Sequence, residues 1–137
     1  MKTQSNESES EGSTMTWVFE RWEVEKYIVS IRDREDLGIH VGRNEIYLRL
    51  KPRDVDIVPV SVIIRFIREG DTGASGEDVR DTHRILWIYM QEQSFASMID
   101  LLRNEKPIYW FWIPNKTPPW GMLRTDVFWG EPVGEGE

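Results

Sequence analysis

The residues best placed to do chemistry in this 137-residue chain sit in one polar stretch. Asp78, Asp81 and His83 put two carboxylates and an imidazole close together, the donor types of a metal site. A selective site would need a further histidine or thiolates. The chain has two histidines, His40 and His83, and no cysteine. These acids also lack the regular spacing and closing glutamate of a calcium loop. Solvated loop charge is the preferred reading, so no metal is expected. The absence of cysteine also excludes disulfides, thiolate zinc sites and cysteine nucleophiles. Neither histidine lies in an acyl-transfer context. No Gly-x-x-x-x-Gly-Lys-Ser/Thr or Gly-x-Gly-x-x-Gly run is present, so no nucleotide cofactor is expected.

The sharpest motif is Asp71-Thr72-Gly73-Ala74-Ser75. It resembles the catalytic loop of retroviral-type aspartic proteases. That resemblance implies a hydrolase in which Asp71 meets its counterpart across a dimer and the two carboxyls share one proton. The flanks depart from the family pattern. Arg68-Glu69-Gly70 stands where an apolar strand should run into the aspartate, and no later apolar-apolar-Gly element follows. Asp, Thr, Gly and Ser are also ordinary turn residues. The preferred expectation is an exposed, mobile, non-catalytic loop over residues 69–82, and no catalytic residue is assigned.

Alternation supplies the next two candidates. In the run from Glu45 to Lys51, Ile46, Leu48 and Leu50 share one face and Tyr47, Arg49 and Lys51 the other, as in a strand with one wet side. Arg32, Ile63 and Arg65 point outward on neighbouring runs. Arg32, Tyr47, Arg49, Lys51 and Arg65 are therefore candidate contacts for single-stranded nucleic acid, with cations along the backbone and a ring against a base. The competing and preferred reading is cross-strand charge pairing with Glu20, Glu23 and Glu45.

The segment YWFWIPNKTPPW, from Tyr109 to Trp120, places Tyr109, Phe111 and Ile113 on one face and Trp110 and Trp112 on the other. Both faces cannot stay wet without an association-prone patch. Core packing is the first expectation. A protein interface using Trp110, Trp112 and Trp120 is the second, since tryptophan dominates binding hot spots.

The elements that must position these residues are mostly strands. Trp17–Val24, Tyr27–Arg32, Glu45–Lys51, Val60–Arg68, Arg84–Met90, Ile108–Ile113 and Met122–Trp129 read as seven strands. A turn at Asp33 to Gly38 separates the second from the third. The period changes once. Phe95, Met98, Ile99 and Leu102 fall at helical spacing, with Ser94 as N-cap and Pro107 forbidding continuation, which predicts one helix at about 94–104. No β-α-β-α alternation occurs, so no doubly wound sheet is expected. The predicted fold is α+β and mainly β. It is a twisted antiparallel sheet or half-barrel of about seven strands with one covering helix, in a single domain over 15–130. Residues 1–14 and 131–137 read as flexible acidic tails.

The formal net charge is −7. The two tails hold most of it, which leaves the body nearly neutral. No run approaches a membrane span or a secretory apolar region, so no membrane contact or export is expected. A cysteine-free chain suits a reducing cytoplasm.

From about Phe95 onward the chain resembles a family of small uncharacterised bacterial proteins. The matching residues are Phe95 to Arg103, Lys106-Pro107-Ile108-Tyr109 and the terminal Glu131-Pro132-Val133-Gly134-Glu135-Gly136-Glu137. The resemblance covers the last third and implies no activity, ligand or catalytic residue. The function expected is non-enzymatic binding to another protein or to a second copy. Nucleic-acid binding through the Arg/Tyr face is the alternative, and hydrolysis at Asp71 is a distant third.

Overall fold

The computed structural model describes residues 16–31 and 44–125. Seven strands form one sheet, with β1 (Glu20–Ile31), β2 (Asn44–Leu50), β3 (Val60–Ile67), β4 (Gly76–Val79), β5 (Arg84–Gln91), β6 (Tyr109–Ile113) and β7 (Trp120–Arg124) in the order β4-β5-β3-β2-β1-β6-β7. The sheet curls into a half-barrel. A 3-10 turn (Glu92–Ser94) leads into the one helix among the described residues, α1 (Phe95–Asn104).

The mainly-β class, the half-barrel and the single helix agree with the sequence pattern, and four details differ. First, the two early runs are one twelve-residue strand, β1. The polar pair Glu25-Lys26, which reads as a break, is a register shift between Val24 and Lys26. It lets one strand serve two partners, with Glu20 to Glu23 on β6 and the rest on β2. Second, the sheet is mixed, because β3 and β5 run parallel in register from Val60–Arg84 to Ile67–Gln91.

Third, residues 69–82 are not an open loop. They contain β4, which pairs antiparallel with β5 and lets the chain return for the parallel crossover. Fourth, Ser94 occupies the N-cap position but makes no side-chain capping bond. Its backbone is already helical, because the 3-10 turn supplies the entry.

Alternation sorts the sheet into two faces. On the concave face Ile46, Leu48, Val62, Ile64, Phe66 and Leu86 are almost fully buried. Trp22, Trp110 and Trp112 join them at the β1–β6 end. The helix crosses this face. Phe95 meets Phe66 edge-on with ring centroids 4.9 Å apart. Leu102 is its buried anchor, and Met98, Ile99 and Leu101 pack against the core. At its far end Leu102, Glu105 and Lys106 border a shallow open groove of about 180 Å³ against the Val24 to Tyr27 part of β1.

Burial of these side chains, at roughly 1.5–3 kcal/mol for a large aliphatic group, is what holds a helix too short to persist alone in water. Arg32, the turn at 33–38, His40, the two acidic tails and residues 126–129 lie outside the described residues. No helix among the described residues is long and apolar enough to cross a membrane.

Candidate functional site

Strand polarity brings the start of β1, the end of β2, the starts of β3 and β5, the end of β6 and the start of β7 to one end of the half-barrel. Interior positions at this end are charged. Glu20 lies opposite Trp112. Arg84 lies opposite Val60, and Glu77 opposite Leu86. The β2–β3 loop adds Arg53 and Asp56, folded together by Asp56 N–H to the Arg53 carbonyl at 2.9 Å and Arg53 N–H to Asp56 Oδ2 at 2.8 Å.

These five side chains form one network. The Arg84 guanidinium donates to both oxygens of Glu20, at 2.7 and 2.9 Å, and to both oxygens of Glu77, at 3.0 and 3.1 Å. Arg53 reaches Glu20 at 3.3 Å and Asp56 at 2.7 Å. Two buried indoles complete it. Trp22 Nε1 donates to Asp56 at 2.9 Å, and Trp112 Nε1 donates to Glu77 at 2.8 Å. The Arg53 guanidinium lies 3.9 Å from the Trp22 ring centroid. Planar bidentate pairing and stacking on an indole are both uses to which arginine, not lysine, is suited.

The electrostatics follow from this geometry. Burial pushes the Glu20 carboxyl up, and the Arg84 and Arg53 guanidiniums more than reverse it, so Glu20 ionises below its ordinary value. Burial likewise raises Asp56, and bonds from Arg53 and Trp22 bring it below the ordinary value. The carboxylates on Arg84, Glu20 first, hold that guanidinium in its charged form. A carboxyl held ionised in this way is a poor general acid near neutrality. The network ties β1, β4, β5, β6 and the β2–β3 loop together.

What it fixes is an apolar rim. Among the described residues nine large hydrophobic side chains are exposed, and seven of them ring this end: Trp17, Val18, Phe19, Val55, Ile57, Val79 and Trp120. Ile57 is 97% exposed. Asn115 clamps the Trp17 segment to the β6–β7 turn, accepting from Val18 N–H at 2.9 Å and donating to the Thr16 carbonyl at 2.8 Å. Val55 and Ile57 are carried on the loop held by Arg53 and Asp56. These side chains are therefore presented by a braced frame.

The residues singled out by the sequence fall in different places. Trp110 and Trp112 are core side chains with no exposure, which removes them from any surface of the folded chain. They pack against Trp22 and beneath Gly121, so core packing accounts for them. The Trp110 Nε1 is buried without a hydrogen-bond partner. Trp120 stands on the rim, 41% exposed.

Tyr47, Arg49, Lys51 and Arg65 share the convex side as expected, and each cation has a carboxylate. Arg49 lies 3.8 Å from Glu25, Lys51 lies 3.3 Å from Glu23, and Arg65 lies 3.2 Å from Glu45. The Tyr47 hydroxyl donates to the same buried Glu45. Burial lowers the Arg65 pKa, and contacts with Tyr89 and Glu45 more than restore it. The expected charge pairing is thus present on this face, with Glu25 as a further partner and Glu20 elsewhere.

Of the Asp71-Thr72-Gly73-Ala74-Ser75 stretch, Gly73 and Ala74 lie against the convex face. Gly73 lies flat on the Tyr89 ring, where any Cβ would sit 2.6 Å from ring carbons. The Trp87 indole donates to the Ala74 carbonyl at 3.1 Å, and the Ser75 hydroxyl donates to the Pro119 carbonyl. The glycine is thus explained by close approach to a ring, and Thr72, Gly73 and Ala74 are exposed, as expected. Asp78 pairs with Arg80, and no three metal-ligating side chains cluster among the described residues.

The network itself escaped sequence reasoning, which placed Glu20 among outward charges. Glu20 and Trp22 alternate in step on β1, and Arg84 and Leu86 on β5. That shared spacing was the available signal.

No family model, curated protein or solved structure matches the chain.

Proposed function

We propose that this protein is a non-catalytic binding module that engages another protein through the apolar rim. The observation that carries the reading is the concentration of exposed hydrophobic side chains at one end of the half-barrel, on segments braced by the Glu20–Arg84–Glu77 and Arg53–Asp56 contacts. Water-exposed apolar groups gain free energy on burial, at roughly 25 cal/mol per Å². A rigid frame also lowers the ordering cost of association. Tryptophan and phenylalanine are the side chains that most often carry binding energy, which fits Trp17, Phe19 and Trp120. A cysteine-free chain supports a site of action in a reducing compartment such as the cytoplasm.

The test is photo-crosslinking in cells with a photoreactive residue in place of Phe19, compared with one in place of Ile28 on the sheet. The Phe19 probe should give one discrete adduct, identified by mass spectrometry as a single other polypeptide, and the Ile28 probe should not. Identical adduct patterns, or none from the rim, would overturn the reading. An adduct with a second copy of the chain would replace a foreign partner by self-association.

A further inference from the structure

We infer that the partner segment taken by this rim is apolar and basic, with its cations set beside Asp54 and Asp81. The inference rests on the binding role proposed for the rim and adds the chemistry of what is bound.

The first observation is Lys116. Its ammonium lies 4.9 Å from the Trp17 ring centroid and 5.4 Å from that of Trp120. It has no carboxylate partner among the described residues, so the two indoles are what face the charge. Both rings remain about two-fifths exposed, at 42% and 41%. An indole face attracts an ammonium or guanidinium through its quadrupole, more strongly once water is excluded. The pair is thus served by a cation in cis, and the Lys116 ammonium would repel a second one there, which leaves the exposed ring surface for apolar contact and sends a partner's cations to the carboxylates of the rim.

The second observation is the charge around the aliphatic part of the rim. The half-buried network sets the carboxylates of Glu20, Glu77 and Asp56 against the guanidiniums of Arg53 and Arg84, an excess of one negative charge that Lys116 offsets, so the balance is decided by the acids outside it. The nearby Lys51 and Arg80 are already neutralised by Glu23 and Asp78. Asp54, beside Val55, and Asp81, close to Val79, are exposed and have no hydrogen bond or ion pair among the described residues. Apolar side chains bordered by unpaired carboxylates complement a segment whose apolar side chains are bordered by cations. A second copy would bring the same acids to the same place on a chain of net charge −7. An anionic lipid surface would be repelled in the same way.

The experiment uses the full chain and two synthetic amphipathic peptides with identical leucine positions, one with lysine and one with glutamate at every polar position. Affinities are read by titration calorimetry at low and high salt. The Leu/Lys peptide should bind about tenfold more tightly at roughly 0.1 M salt, and the advantage should shrink as salt rises. Asp54→Asn/Asp81→Asn should remove most of that advantage without altering the melting temperature, since both side chains are exposed. Equal affinity for the two peptides would overturn the inference. So would an undiminished preference in the double variant, which would assign the effect to the overall charge of the chain. Binding of neither peptide would also overturn it, and the crosslink at Phe19 would still report independently whether the rim meets another protein.

Discussion

The indole N–H of Trp112 on β6 donates to the carboxylate of Glu77 on β4 at 2.8 Å, joining two strands five places apart in the sheet order. A sheet that curls without closing leaves two edges, and open edges invite unwanted pairing. Here side chains bridge the gap that backbone pairing leaves. Glu77 is bound in turn by Arg84, and Ser75 reaches the Pro119 carbonyl beside β7.

Removing Arg84 should therefore be costly. Arg84→Ala leaves Glu20 and Glu77 facing each other in a half-buried site, and stripping one member from such an ion network costs about 3 kcal/mol. Arg80, exposed and paired with Asp78 at the surface, should change stability by less than about 0.5 kcal/mol when cut to alanine. Urea denaturation of the two variants measures both.

Acid should weaken the fold through the same groups. Glu20 and Asp56 ionise below their ordinary values of 4.5 and 3.8 in the folded chain. A depressed folded pKa contributes stability that is complete above the unfolded value and disappears as pH falls through the folded one. Melting temperature should thus hold as pH drops toward 5 and decline below about 4.5. Glu20→Gln should start lower at neutral pH and decline less steeply. A parallel decline in both proteins would show that Glu20 does not contribute this dependence.

Gly121 on β7 makes the closest approach to a ring among the described glycines. A Cβ there would run into the Trp110 ring and lie 2.9 Å from Trp112. Both rings are held in packed surroundings and cannot yield. Gly121→Ala should cost about 1–3 kcal/mol, as overpacking does. Thermal melts followed by tryptophan fluorescence report both the loss and the displacement of the rings.

Leu102 is the buried residue of α1, while Arg103 beside it is exposed. Leu102→Ala should remove about 2–5 kcal/mol, and Arg103→Ala should be nearly silent. Equal small effects would mean that the helix is not packed inside.

Much of this fold was legible in the sequence, because period-2 and period-3.6 patterns report directly on buried faces. Ile46, Leu48 and Leu50 alternate into the core as read, and Phe95, Met98, Ile99 and Leu102 mark the helix stripe. Charge pairing on the convex face was legible too, since Glu23 and Glu45 lie within reach of Lys51 and Arg65. The bulge in β1 was not, because Glu25-Lys26 looks the same in a turn and in a register shift. Strand β4 was missed because Gly76-Glu77-Asp78-Val79 has little strand propensity, and pairing with β5 supplies what propensity lacks. The rim was illegible for a different reason. Its side chains come from four separated segments, and only the curl of the sheet brings Trp17, Ile57, Val79 and Trp120 to one end.

The central claim is that the rim binds and does not merely fold. The most direct measurement is the affinity of the crosslink-identified partner for the Phe19→Ser/Val55→Ser/Ile57→Ser variant, taken beside its melting temperature. Exposed apolar groups bury little in the free chain, so the melting temperature should stay within about 2 °C of wild type. Affinity should fall at least about tenfold, equivalent to about 1.4 kcal/mol. Unchanged affinity in a normally folded variant would contradict the account.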